Sequence, residues 1–184
     1  RKYIIVSAPG KRFDGDEKVT DLLIKSHEQK NSSEFERCFS KIADRFFSLR
    51  DELKLKTDID KELEIIQSEI KSGASYDYTV SRGEYLNGHL MADMLNAEFV
   101  DAADLIFFDK DGRLDSKKTY KTIKERLAGD KLYVIPGFFG VMPDGTVKTF
   151  PRGGSDITGS IIARGTVAGT YENWTDVSGI MMAD

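Results

Sequence analysis

Short apolar runs alternate along this chain with longer stretches whose apolar residues recur every three and four positions. The run Tyr3-Ile4-Ile5-Val6, flanked by Arg1-Lys2 and Pro9-Gly10, is too brief for a helix, and its continuous apolarity predicts a buried, central, parallel strand. Lys131 to Pro136 reads the same way through Leu132, Tyr133, Val134 and Ile135. Phe99–Asp101, Ala103–Phe108 and Tyr171–Thr175 are further strand candidates. Between these runs lie helical patterns, so the chain predicts an α/β fold, a three-layer α/β/α sandwich with a mainly parallel central sheet.

The helices are legible from spacing and end signals. Val19 to Gln29 turns Val19, Leu22, Leu23 and Ser26 inward. Ser33-x-x-Glu36 has the form of a capping box. After it Phe35, Cys38, Phe39, Ile42, Phe46, Leu49 and Leu53 form one apolar stripe, which reads as core and not as a cofactor box. Thr57-Asp58 opens the next helix, with Ile59, Leu63, Ile66 and Ile70 inside and Gly73 as its stop. A helix opened by Val80-Ser81-Arg82-Gly83-Glu84 carries Leu86, Leu90, Met94 and Leu95 and stops at Asn96. Ser116 caps a helix closed by Gly129, and Pro143-Asp144-Gly145 turns a hairpin from Val141 to Val147.

At 184 residues the chain suffices for one domain with a real core. Its net charge of −4, with dispersed basic residues, argues against a general nucleic-acid surface. Cys38 is the single cysteine, so no internal disulfide can form, and it reads as a small buried hydrophobe. No run is long enough to span a membrane and no signal peptide is evident, so the cytoplasm is the expected location.

Few residues suggest chemistry. Gly153 and Gly154 stand before a Ser155-Asp156 helix start, where free backbone N–H groups suit an anion. Ser155 is a candidate N-cap and Asp156 a first-turn carboxylate. Arg152 adds a fork matched to carboxylate or phosphate. The plainer reading is a capped helix behind a flexible turn. Ser7 leaves the end of a predicted parallel strand, where ligands of open α/β sheets bind. Thr20 either caps its helix or faces a ligand, and Glu84 by itself reads as a solvated first-turn carboxylate. Asp176 could simply start a turn, and His89, a lone helix histidine, is assigned no role. The aspartates of Asp109-Lys110-Asp111-Gly112 lack the remaining ligands of a calcium loop. Neither a Walker pattern nor a protein-kinase loop occurs, so any ATP would need another cradle.

Four segments, in order, carry a resemblance: Val6-Ser7-Ala8-Pro9-Gly10-Lys11 with Val19-Thr20-Asp21-Leu22-Leu23; Ser81-Arg82-Gly83-Glu84; Arg152-Gly153-Gly154-Ser155-Asp156; and Trp174-Thr175-Asp176-Val177-Ser178-Gly179-Ile180. Together they resemble the signatures of aspartokinases, within the amino-acid kinase family, more than those of its acetylglutamate, glutamate or uridylate kinases. The resemblance covers nearly the whole chain. Residues 1–184 then correspond to a single catalytic domain, cut at both ends, without the C-terminal ACT domains of the family.

The resemblance implies phosphorylation of the side-chain carboxylate of L-aspartate by ATP with Mg²⁺, the first step toward lysine, threonine and methionine. It implies that Arg152 grips a substrate carboxylate and Glu84 the substrate amino group, with Ser7, Thr20 and Ser155 near the acceptor. It implies that Asp156 orients a catalytic lysine from a Lys-Phe-Gly-Gly-Ser segment that these residues do not contain, so the chain alone is expected to be inactive. Thr175, Asp176 and Met181 would meet the nucleotide, and Gly153 and Gly154 belong to the same cradle. No protein ligand for the metal is expected, and the full-length protein is expected to be a homo-oligomer, a dimer. Two positions depart from the family pattern: Pro151 stands where glycine is frequent, and Met181 where tyrosine is common. Two alternatives stay open: a kinase of the same fold with another acceptor, and a non-catalytic regulatory subunit.

Overall fold

The structure, a computed structural model, describes residues 2–151 and 153–174. Strands β1 (Tyr3–Val6), β2 (Glu98–Phe99) and β3 (Tyr133–Pro136) form a parallel sheet in the order β1-β3-β2. Tyr3 pairs with Tyr133 and Val6 with Pro136, so β1 and β3 end level with each other. Strands β4 (Phe139–Val141) and β5 (Val147–Thr149) make an antiparallel hairpin directly after β3. The helices are α1 (Val19–Glu28), α2 (Glu34–Glu52), α3 (Ile59–Lys71), α4 (Tyr76–Met94), α5 (Ser116–Arg126) and α6 (Gly154–Gly165).

The two-residue period of the strands sorts their side chains between two helical layers. Ile4, Val6 and Val134 pack with Met91 and Ala92 of α4 and with Leu95 just past its end. Tyr3, Ile5, Tyr133 and Ile135 join Ile123 of α5 and Ile161 and Ile162 of α6 on the opposite face. This is the expected α/β/α layering. A further apolar cluster binds α1, α2 and α3 to α4 through Leu23, Phe35, Phe39, Ile42, Phe46, Ile59, Ile66, Ile70 and Leu86. At about 1.5–3 kcal/mol for each fully buried large side chain, that stripe is core, as its spacing predicts. Cys38 is half-buried at its margin, and Leu53 is exposed. Among the described residues no helix is long and apolar enough to cross a membrane.

Several local expectations are corrected. β1 lies at an edge of the described sheet and is half-buried over most of its length, not central. Ala103–Phe108 is not a strand. Asp101 accepts the Ala103 N–H at 3.0 Å and turns the chain into a 3₁₀ helix at Ala102–Asp104, leaving only single bridges at Phe107 and Phe108. Residues 171–174 are irregular, with Tyr171 folded back against α6.

Helix starts shift as well. Ser33 already has helical angles, so no capping box forms, and Ser32 Oγ accepts the Glu34 N–H instead. Asp115, not Ser116, caps α5 by accepting the Lys118 N–H at 3.0 Å. Thr20 does not cap α1, whose N-cap is Lys18.

Candidate active site

Helix α4 begins at Tyr76, capped by Ser75 Oγ accepting the Tyr78 N–H at 3.1 Å. Glu84 therefore sits in the helix interior and not in a first turn. It is 7% exposed, the one buried Asp or Glu among the described residues. What it faces is the loop leaving β1. A Cβ on Gly83 would fall 2.8 Å from the Ala8 Cβ and 3.3 Å from Val19 Cγ1, so glycine is what allows α4 to touch that loop. The Ala8 backbone N–H favours the charged form of the Glu84 carboxylate, yet Oε2 is left buried with no partner. Burial lifts the Glu84 carboxyl to about 7, with its own and the Ala8 backbone N–H groups only partly opposing the rise.

Gly83→Ala tests this contact. Alanine favours helices by about 1 kcal/mol over glycine, but overpacking here should outweigh that and cost about 1–3 kcal/mol net. Urea unfolding should show the loss, and a stabilised variant would mean the loop yields freely.

One turn beyond Glu84, Asn87 Nδ2 donates to the Ser7 carbonyl at 2.7 Å, so α4 holds the loop at two successive residues. The sequence reading missed Asn87; its three-residue offset from Glu84 was the available signal. Ser7 itself is exposed beyond the end of β1, and Thr20 is half-buried beside Val19.

From the other side α6 approaches. The Gly137 N–H donates to Val6 O at 2.9 Å, tying the ends of β1 and β3 together. A Cβ on Gly137 would lie 2.6 Å from Ser155 Oγ and 2.8 Å from Ser155 Cα, so the first turn of α6 rests on the end of β3. Ser155 is not the N-cap. Gly153 takes that place in the left-handed region at φ 76°, which favours glycine, and no side chain caps the helix. Gly154 is buried against Phe138 and Phe150. Thr158 Oγ1 accepts the Phe138 N–H at 3.0 Å, fixing the loop after β3 to α6. Asp156 lies in the first turn, exposed, at an open groove of about 350 Å³ shared with Tyr120, Ile157 and Arg164. Its carboxylate has no hydrogen-bond partner among the described residues.

Ser7, Thr20, Glu84 and Ser155 are thus gathered at the C-terminal ends of β1 and β3, with Asp156 beside Ser155. Arg152, Thr175, Asp176 and Met181 lie outside the described residues. Arg82, two residues before Glu84, belongs to the packing: its buried guanidinium sits over Tyr78, Tyr85 and Phe139 at 4.4, 4.5 and 5.2 Å. His89 stacks on Phe99 at 3.8 Å, and burial pulls its pKa down.

The arrangement offers a buried carboxylate with one unpartnered oxygen beside the loop leaving β1, and a helix N-terminus without a side-chain cap against the end of β3. The family model for the amino acid kinase family matches residues 1–184. The chain belongs to the amino acid kinase family. It is 34% identical over 195 residues to aspartokinase 3 of Bacillus subtilis, an alignment covering 98% of this chain and 43% of that protein. Its fold superimposes on the aspartate kinase of Clostridium acetobutylicum with a TM-score of 0.92 at 52% identity, over 100% of this chain and 43% of that one. Aspartokinase III of E. coli, solved with aspartate and ADP, shares the fold at a TM-score of 0.80 and 24% identity, over 97% of this chain and 43% of that one. As a member of the amino acid kinase family the chain spans less than half the length of these relatives.

Proposed function

We propose that the full-length protein is an aspartate kinase. It transfers the γ-phosphoryl group of ATP to the side-chain carboxylate of L-aspartate, giving 4-phospho-L-aspartate and ADP. The observation that carries this reading is Glu84, a buried carboxylate with one oxygen left without a partner beside the β1 loop. A desolvated anion of this kind is satisfied by a cation that brings its own N–H donors, and an amino-acid ammonium does so. The similarity to aspartokinases of Bacillus subtilis and Clostridium acetobutylicum supports aspartate as the acceptor.

The nucleophile belongs to the substrate, so the protein's task is to hold two anions together and offset their charge. Glu84 takes the substrate ammonium, and Arg152 a substrate carboxylate through its fork. Ser7, Thr20 and Ser155 supply hydrogen bonds at the acceptor. The uncapped N-terminus of α6, led by Gly153 and Gly154, fits phosphate oxygens because its first N–H groups lack side-chain partners. Asp156 orients a catalytic lysine supplied by the family's Lys-Phe-Gly-Gly-Ser segment. Thr175, Asp176 and Met181 meet the nucleotide.

Among the described residues no group of three or more His, Cys, Asp or Glu converges into a metal cluster. By resemblance to the family, Mg²⁺ would be held by the ATP phosphates and water, where it would offset charge. The same resemblance supports a homodimer.

In a coupled assay, ADP should form from ATP only when L-aspartate and Mg²⁺ are both present. Equal turnover with glutamate or acetylglutamate would reject the acceptor assignment.

A further inference from the structure

Ser7, Ala8 and Thr20 bound a segment with no strand or helix of its own, and its outer residues Lys11 to Gly15 are exposed. Something must hold such a loop if its ends are to sit around Glu84, because closing a flexible loop costs entropy.

Arg45, on α2, reaches both limbs at once. Its Nη1 donates to Gly10 O at 2.7 Å, two residues past Ala8. Its Nη2 donates to the Asp16 carboxylate and to Glu17 O, the latter at 3.3 Å, three residues before Thr20. The Arg45 and Asp16 side chains are 4% and 9% exposed. Arg12 grips the same carboxylate from the solvent side, through Nε at 3.0 Å and Nη2 at 3.1 Å. Glu17 is paired with Lys25 at 2.6 Å and with Lys41 of α2. A buried guanidinium on a carboxylate and two carbonyls from opposite limbs is a cross-link at the neck of the loop. A lysine could reach one limb but not span both, since it lacks the planar fork.

We propose that Arg45 is a positioning residue: by pinning Gly10 to Asp16 and Glu17 it closes the neck of the 7–20 loop and so holds Ser7, Ala8 and Thr20 in register with Glu84. The proposal rests on Glu84 and this loop forming the acceptor pocket.

The test uses Arg45→Lys and Asp16→Asn in the full-length protein, with thermal melts to confirm folding. Trypsin cleavage after Lys11, Arg12 and Lys18 reads the loop without any substrate, and both variants should be cut faster than the parent. Steady-state kinetics should show KM for aspartate raised roughly tenfold or more, because small displacements of positioning groups cost this much, with KM for ATP within about twofold. The double variant should be little worse than either single one, since both break the same link. Unchanged cleavage overturns the clamp. Faster cleavage with unchanged KM for aspartate, or with both KM values raised alike, overturns the positioning role. If the unaltered protein turns over a different acceptor and not aspartate, the acceptor reading fails, and the clamp is judged by cleavage and by KM for that acceptor.

Discussion

Glu84→Gln in the full-length protein is expected to raise KM for aspartate and to lower kcat/KM by about 30-fold or more, while KM for ATP changes little. Truncating one side of a desolvated, hydrogen-bonded charge pair costs roughly 2–5 kcal/mol, and glutamine keeps the shape while removing the charge. The pH dependence gives an independent signature. In the folded protein the Glu84 carboxyl lies at about 7, against an ordinary 4.5. Between these values the folded state keeps a proton that the unfolded state has released. Stability of the free protein therefore falls as pH rises through this window and stays lowered above about 7. Binding an ammonium requires the ionised form, so KM for aspartate should fall as pH rises through about 7. Glu84→Gln should flatten both profiles, read by melts across pH and by kinetics. Unaltered aspartate kinetics with a lost stability slope would leave Glu84 as a buried group with no substrate role.

Asp156→Asn should act on turnover instead, with kcat lowered on the order of a hundredfold and KM for aspartate nearly constant. An oriented charge that matters most while phosphoryl transfer develops is lost from the transition state and not from the ground state. Folding should be almost untouched. Asp156 is exposed, Gly153 and not Asp156 holds the N-cap position, and Asn gives up only a first-turn charge worth about 0.3–1 kcal/mol. Melts within a degree or two of the parent would confirm the control. Full kcat in a folded variant would reduce Asp156 to a helix-dipole partner.

Both predictions concern residues that the sequence marks only through resemblance. Glu84 illustrates the gap. Spacing alone places it in an exposed first turn, because Val80-Ser81 looks like a helix start. The helix begins a turn earlier, at the Ser75 cap, and that shift converts a solvated carboxylate into a buried one. Ser155 errs in the opposite sense: it looks like a cap, but Gly153 in the left-handed region does that work and frees Ser155 to lie against Gly137.

The sequence by itself determined the strand at Tyr3–Val6, the strand at Tyr133–Pro136, the inner faces of the helices and the glycine turns, because periodicity and end signals are local properties of the chain. It also determined, through ordered motifs, which family the chain belongs to. Only the tertiary structure decided that Ala103–Phe108 does not form a strand, since the Phe107 N–H is taken by Thr119 Oγ1 of α5 at 3.0 Å. Only the tertiary structure decided that Ala8 and Gly83 meet, and that Arg45 spans Gly10 and Asp16 across the loop. These are contacts between segments distant in sequence, and their register depends on how helices seat on the sheet, which no local pattern encodes. The charge of Glu84 follows the same rule: the carboxylate is written in the chain, but its raised pKa comes from the packing that removes water from it.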